Sequence, residues 1–387
     1  MALVALLLTL GAVELVFRLF VAVTPVPYYF WDPVLGPRPV PDKAGRNVSG
    51  DHINVAFRFN AQGWNNPLDY QIERPAGGCR VALVGDSFVE AMQVEPSESM
   101  FAVAARHMAR DDRPAEWYSF GVSGWGTTQQ LEVIRHYVLD YRPDLVIVLF
   151  VENDPFDSSP YLVPIEPYMP TYALDASGGL VLQPATYWER SPLKKLLVQS
   201  AAVRYFYIQR GLSWRRRHAT NVAEGVQIRE AVLSGDTQRL ASVEQLSLDE
   251  RRQKTWELIE ATLAAIRDHC RHHGARLAVA FRGSMRQIES ARSDAPYNPP
   301  PREEDPYCLG PRADQMGREW LEPITARLEI AYLDLTGPLR EMVSQSGQSH
   351  IFPDDSHYNA AAHAAVGAAL AHWAEQLLDE TADQRER

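Results

Sequence analysis

The segment 144–151 constrains the fold more than any other part of the chain, because every residue after Asp144 is apolar. A strand that is apolar on both sides has to be covered on both faces, as parallel strands are in α/β proteins. Apolar segments at 80–84, 116–122, 276–281 and 330–335 predict four further strands. Helical patterns separate the strands, so the sequence predicts a doubly wound, flavodoxin-like five-stranded parallel sheet with helices on both faces.

Helices are predicted at 99–109, 128–141 and 247–273, and a closing helix is predicted to begin at Asn359. The third helix opens with Ser247-Leu-Asp-Glu250, the pattern of a capping box. Asn359 is a favourable N-cap, and the small residues after it predict a helix that packs closely on the sheet.

The segments that flank the alternating strands and helices, and those that interrupt them, predict the domain organisation. We expect an N-terminal anchor at 1–23, a stalk with a small β lead-in at 24–79, a main domain at 80–380 and a tail at 381–387. The main domain is predicted to carry an insertion at 155–246 after the third strand, and a loop insertion at 283–312. Within the first insertion we expect a hairpin at 171–182 and a helix at about 193–217.

The residues 2–23 are apolar apart from Thr9, Gly11, Glu14 and Arg18, and this length is sufficient to span a bilayer. Glu14 and Arg18 are four residues apart and can pair on one helical face. No Lys or Arg precedes Arg18, which favours an uncleaved membrane anchor over a signal peptide. A cleaved signal, an amphipathic or buried helix, and a start codon upstream of Met1 remain alternatives.

Charge and cysteine content exclude some classes of function. The net charge of −11 argues against a nucleic-acid-binding protein, which would present a basic face. Cys79, Cys270 and Cys308 include no CxxC pair, so a metal site is not expected. A Cys270–Cys308 disulfide requires an oxidising compartment, and buried thiols are the preferred interpretation.

Residues suited to nucleophilic catalysis follow the predicted strands. Because the carboxyl ends of parallel strands meet at one edge of the sheet, we expect these residues to lie together. A serine needs a base to accept its proton, and the base needs a group that orients it. The residues concerned are Gly85-Asp86-Ser87 after strand one, Gly124 after strand two, Asn153 after strand three, and Asp354 with His357 after strand five.

These four blocks resemble those of the SGNH hydrolases, the superfamily of GDSL-type esterases and lipases. The resemblance implies Ser87 as the nucleophile, His357 as the base and Asp354 as the residue that orients it. It also implies an oxyanion hole formed by the backbone N–H groups of Ser87 and Gly124 and the side-chain amide of Asn153. The lead-in segments 32–36 and 60–63 look like those of bacterial membrane-anchored members.

The chain departs from the family pattern at Val151, where a glycine is usual. Asp355 competes with Asp354 for the orienting role, and the spacing to His357 favours Asp354 and leaves Asp355 as a solvated turn residue. The resemblance implies that no metal or cofactor is required.

The sequence therefore predicts a serine esterase that is anchored in the membrane by its N-terminal helix. Its catalytic domain is expected outside the cytoplasm, in the periplasm or at the cell surface. The expected substrate is an ester-bearing small molecule, lipid or polysaccharide. The alternatives are an O-acyltransferase that modifies a cell-surface polysaccharide with the same triad, and a catalytically inactive glycan-binding envelope protein.

Overall fold

A computed structural model of the chain describes residues 1–24, 29–109, 114–162, 168–187, 192–209, 246–292, 316–353 and 355–386. The strands in chain order are β1 (Tyr29–Asp32), β2 (Gly36–Pro39), β3 (Ala44–Ser49), β4 (Ile53–Arg58), β5 (Cys79–Gly85), β6 (Ala115–Gly121), β7 (Leu145–Phe150), β8 (Thr171–Leu174), β9 (Leu180–Gln183), β10 (Arg276–Phe281), β11 (Ala331–Asp334), β12 (Ile351–Phe352) and β13 (Asp355–Tyr358).

The α-helices in chain order are α1 (Ala2–Phe20), α2 (Ser87–Glu90), α3 (Met100–Met108), α4 (Thr127–Val133), α5 (Asp154–Ser158), α6 (Pro192–Leu197), α7 (Ala201–Arg204), α8 (Leu248–His272), α9 (Met285–Glu289), α10 (Glu322–Arg327), α11 (Thr336–Ser346) and α12 (Ala360–Glu386). Turns of π-helix occur at Ile134–Val138, Tyr205–Gln209 and Gly317–Leu321, and 3₁₀ turns at Pro96–Glu98 and Leu139–Tyr141.

The central sheet has five strands in the order β11-β10-β7-β5-β6. All of its pairings are parallel, which confirms the predicted doubly wound sheet. The first of these strands in the chain, β5, pairs with β6 on one side and with β7 on the other. The chain therefore reverses its direction of winding beside β5, and such a switch point is where ligands bind in open α/β sheets.

The two faces of the sheet are buried in two hydrophobic layers. On β5, Val81 and Leu83 lie in one layer, and Ala82 and Val84 lie in the other. This alternation follows from the period of two along a strand, and it explains why the strands read as continuous apolar runs. The helices α3, α11 and α12 contribute to the first layer, and α4 and α8 to the second.

The closing helix α12 packs against α3 as well as the sheet, as its small residues predict. A Cβ atom added at Gly367 would lie 2.6 Å from the backbone oxygen of Met100 and 2.6 Å from Cβ of Val103. Only a glycine at this position permits the observed distance between the two helices. His363 is buried in the same contact, where its Nδ1 accepts a hydrogen bond from the Met100 N–H at 3.2 Å.

The lead-in segment covers the edge of the sheet at β6. The Tyr70 hydroxyl donates to the Ser119 carbonyl at 2.7 Å and accepts from the Ser119 N–H at 2.9 Å, and its ring stacks on Tyr118 at 4.1 Å. Asn66 donates to the Trp117 carbonyl at 3.3 Å. An exposed edge strand is a site for unwanted pairing, and these contacts satisfy its free backbone groups.

The predicted helix at 193–217 differs from the structure, which divides the described part into α6, α7 and a π-turn that ends at Gln209. The break has a local cause, because the Ser200 side chain accepts from the Val203 N–H and so starts a new helix. The remainder of that prediction, 210–217, lies outside the described residues. The predicted hairpin at 171–182 is confirmed by β8 and β9.

Three smaller predictions concern the ends of the domain and the cysteines. The helix α12 continues to Glu386, so the segment predicted as a tail is helical as far as that residue. Most of the loop insertion, 293–312, lies outside the described residues, and so does Cys308. Cys79 and Cys270 are buried. Among the described residues, α1 is the one helix that is long and apolar enough to cross a membrane.

Candidate active site

Ser87 is presented at the carboxyl edge of the sheet by a tight turn from β5 into α2. Gly85 ends the strand, and a Cβ atom there would lie 2.5 Å from a methyl carbon of Val89 in α2. The Asp86 side chain caps the helix by accepting from the Phe88 N–H at 2.9 Å. Ser87 is the first residue of α2, and the first N–H groups of a helix have no acceptor within the helix. The turn therefore offers both the hydroxyl and the backbone N–H of Ser87 to a ligand.

His357 lies beside this serine. Its Nε2 is 2.7 Å from the Ser87 Oγ, and its ring centroid is 5.0 Å from that of Phe88. His357 is carried by β13, which pairs with β12 just before α12 begins. The structure thus brings together two residues separated by 270 positions, as the sequence predicts.

Asp355 contacts the other nitrogen of this ring. Its Oδ1 is 2.5 Å from His357 Nδ1, and the same oxygen accepts the His357 backbone N–H at 2.8 Å. The carboxylate can only accept, so Nδ1 carries the hydrogen and Nε2 is free to accept the Ser87 hydroxyl hydrogen. The expectation that Asp355 is a solvated turn residue is wrong, because its side chain is 19% exposed and paired with His357. Asp354 lies outside the described residues.

Asn153 joins the loop after β7 to the turn that carries Ser87. Its Nδ2 donates to Asp157 Oδ2 at 2.6 Å and to Asp86 Oδ2 at 3.2 Å. Burial raises the pKa of Asp86, although the bonds from Phe88 and Asn153 oppose the shift. Because both donors of the amide meet carboxylates, a bond from Asn153 to an oxyanion requires the longer contact, to Asp86, to open.

Asp157 is a site residue that the sequence analysis missed. Burial raises its pKa to about 6, and the hydrogen bond from Asn153 opposes this shift only in part. Sequence offers one signal, since Asp157 lies four residues after Asn153 and so on the same face of α5.

We predict that Asp157→Asn stabilises the protein above pH 6 and not at pH 4. A raised carboxyl pKa means that stability is lost as the pH rises through the folded-state value of about 6. A tenfold change in the proton affinity of a carboxyl on folding corresponds to about 1.4 kcal/mol of unfolding free energy. Because Asp157 is partly exposed, we expect the substitution to raise the unfolding free energy at pH 8 by only about 1–2 kcal/mol. The amide keeps an acceptor for Asn153. Thermal unfolding of both proteins at pH 4 and pH 8 measures the difference, and an unchanged or lower Tm at pH 8 would contradict the assignment.

Gly124 lies in a turn after β6 whose carbonyl at Val122 accepts the Trp125 N–H at 3.2 Å. Its φ of +80° at the third position of the turn is the conformation that favours glycine. Glu90, the last residue of α2, fixes this turn by accepting from the Ser123 N–H at 3.0 Å and from the Ser123 hydroxyl at 2.5 Å. The Gly124 turn is therefore tied to the helix that begins with Ser87.

Glu90 is completely enclosed, and the sequence analysis missed it. The Tyr29 hydroxyl donates to its Oε1 at 2.8 Å, and burial raises its pKa despite these bonds. The signal in the sequence is a single acidic residue between the apolar Phe88-Val89 and Ala91. The Ser123 hydroxyl donates to this carboxylate.

A buried cation on the far side of Phe88 was also missed. The Arg282 guanidinium follows β10 and lies 4.7 Å from the centre of the Phe88 ring and 5.7 Å from that of Tyr358. It donates to Glu152 at 3.0 Å. His350, which is bonded to Glu289, is next to Arg282, and burial lowers the pKa of this imidazole to about 4. Arg282 thus packs this cluster against Phe88 and against Tyr358 of β13.

The described ranges contain no group of three or more His, Cys, Asp and Glu side chains that could hold a metal ion. No protein-family model matches the chain. No curated protein matches it in sequence.

Comparison with solved structures finds similar proteins at low identity. The esterase EstA from Pseudoalteromonas sp. is 11% identical with a TM-score of 0.38, over 78% of this chain and 98% of that one. A catalytic mutant of the acetylxylan esterase Axe2 from Geobacillus stearothermophilus is 13% identical with a TM-score of 0.37, over 75% and 91%. A lipolytic protein of the G-D-S-L family from Desulfitobacterium hafniense is 9% identical with a TM-score of 0.36, over 76% and 98%.

Proposed function

We propose that this chain is a serine esterase of the SGNH type, which hydrolyses an acyl or acetyl ester. One observation carries the proposal: His357 contacts Ser87 Oγ through Nε2 at 2.7 Å and Asp355 Oδ1 through Nδ1 at 2.5 Å. A serine hydroxyl that donates to a neutral imidazole, which in turn donates to a carboxylate, is the arrangement that activates serine as a nucleophile.

In the first half of the reaction, His357 accepts the Ser87 proton as Oγ attacks the ester carbonyl carbon. Asp355 stabilises the imidazolium that forms. The negative charge on the carbonyl oxygen is met by the N–H groups of Ser87 and Gly124 and by the amide of Asn153, if its contact with Asp86 opens. His357 then gives its proton to the departing alcohol, which leaves an acyl group on Ser87.

In the second half, His357 takes a proton from water as the water attacks the acyl-Ser87 ester. It then returns this proton to Ser87 Oγ as the carboxylic acid is released. An acceptor hydroxyl in place of water would give an acyltransferase, the alternative that the sequence leaves open. We propose a carbohydrate or lipid ester as the substrate and an extracytoplasmic position for the domain. The support for attachment to a membrane is α1, which has no buried residues and the composition of a membrane span.

Covalent labelling tests the nucleophile directly. We expect a fluorophosphonate to add once to the protein and digestion with mass spectrometry to place the adduct on Ser87. Ser123→Ala is the matched control, because Ser123 is a second hydroxyl at the same edge of the sheet and is held by Glu90. It should be labelled as the native protein is, whereas Ser87→Ala should not be labelled. An adduct that persists in Ser87→Ala would overturn the proposal.

Turnover of p-nitrophenyl acetate separates the hydrolase from the transferase. Continuous release of nitrophenol indicates that water resolves the acyl-enzyme. A burst of one equivalent followed by arrest indicates an enzyme that awaits an acceptor alcohol.

A further inference from the structure

The N-terminal helix α1 is joined to the insertion by a specific set of polar contacts. The Glu14 carboxylate accepts from the Ser200 hydroxyl at 2.7 Å, from the Ala201 N–H at 2.9 Å and from the Ala202 N–H at 3.2 Å. The first N–H groups of α7 would otherwise have no partner within the helix. Glu14 therefore caps a helix that lies 187 positions away in the chain.

Other side chains extend the same contact. Arg18 pairs with Glu14 at 2.7 Å and donates to the Gln199 carbonyl at 3.0 Å. In return Arg204 donates to the Thr24 carbonyl at 3.1 Å. The ring of Phe17 lies 5.1 Å from that of Tyr205. The two charges that interrupt the apolar α1 are thus both engaged by the segment 192–209, which reduces the penalty for placing them in or near a membrane.

This segment also presents exposed apolar side chains. Leu196 is 70% exposed and Phe206 is 48% exposed, and Leu193, Leu197 and Tyr207 are exposed as well. Phe206 joins these side chains to α1, because its ring lies 5.5 Å from that of Phe17, and no residue of α1 is buried. A contiguous apolar patch of this kind marks a surface that another phase or molecule covers.

We propose that residues 192–209 are a second membrane-contacting element, which stays docked on α1 and inserts its exposed apolar side chains into the bilayer beside it. Lipid is the occupant because the patch continues the surface of a helix whose length and composition suit a bilayer. Tyr205, Phe206 and Tyr207 are the residue types found at the membrane interface. The docking also makes α1 a part of the folded protein, since its loss would leave the N–H groups of Ala201 and Ala202 without the acceptor that Glu14 provides.

A fluorescence experiment on the full chain tests the lipid contact. Leu196→Cys, in a Cys308→Ser background, is labelled with an environment-sensitive fluorophore and reconstituted in phosphatidylcholine–phosphatidylglycerol vesicles that carry doxyl-labelled acyl chains. Ser344→Cys, an exposed position on α11, is the control. We expect the doxyl lipid to remove most of the emission from position 196 and none from position 344. Equal quenching at the two positions would overturn the proposal. So would the finding that a second copy of the protein, and not lipid, covers position 196.

Proteolysis tests the docking on α1. We expect Glu14→Ala to increase the rate of tryptic cleavage after Lys194, Lys195 or Arg204 several-fold. Thr9→Ala is the control within the same helix, because the Thr9 hydroxyl bonds the Ala5 carbonyl of α1 itself. Equal rates in the two variants would refute the docking. Hydrolysis of p-nitrophenyl acetate is measured in parallel, so a failure of this proposal is distinguished from a failure of the proposed activity.

Discussion

Ser87→Ala and His357→Ala are each expected to lower kcat for p-nitrophenyl acetate by about 10³–10⁶-fold, because either change removes the activated nucleophile. Without the serine hydroxyl no acyl-enzyme can form. Without the imidazole the hydroxyl keeps its proton and attacks poorly. The two residues act as one unit, so the double variant should be no slower than the slower single variant. Steady-state rates for the three variants and the native protein test this expectation.

Ser356→Ala provides the matched control for these variants. Ser356 lies between Asp355 and His357 in the chain, and its side chain is exposed. Its removal should leave kcat within a few-fold of the native value. Full activity in a folded Ser87→Ala protein would contradict the proposed mechanism, and circular dichroism establishes that each variant is folded.

The framework of the site could be predicted because it depends on short-range patterns. The strand β7 is recognisable because both of its faces are buried, and this requires a continuous apolar run. Once the strands are assigned, topology places Ser87, Gly124 and Asn153 at one edge. The ends of four strands are aligned, because Gly85 of β5 pairs with Gly121 of β6 and Phe150 of β7 pairs with Phe281 of β10.

The supporting residues could not be predicted, because they are charged residues that the fold buries. Arg282 looks like an ordinary surface charge in the sequence, and only its packing against Phe88 gives it a role. For Glu90 and Asp157 the sequence offers one weak signal each, and neither signal shows that the carboxylate is buried against Ser123 or Asn153. Glu14 was expected to pair with Arg18, and it does so, but its contacts with α7 join residues 187 positions apart, which no local pattern predicts.

The choice between two adjacent carboxylates shows the same limit at the triad itself. Asp354 lies three residues before His357 and Asp355 lies two residues before it, and the sequence favours the spacing of three. Asp354 lies outside the described residues, and we propose Asp355 because the His357 N–H and Nδ1 both converge on Asp355 Oδ1. The side chain of Asp355 is thereby held in one position, as in an Asx turn.

Asp355→Asn should therefore lower kcat by about 10²–10⁴-fold, because an amide at Nδ1 no longer fixes the tautomer or stabilises the imidazolium. Asp354→Asn is the matched variant, and it should keep activity within a few-fold of the native protein. Both changes remove one charge from neighbouring positions, so a general electrostatic effect would appear in both. The KM should change little in either variant, since neither side chain is expected to bind the substrate.

The opposite result would have a defined meaning. If Asp354→Asn is the inactive variant and Asp355→Asn remains active, the spacing of three is correct and the contact between Asp355 and His357 is not the catalytic one.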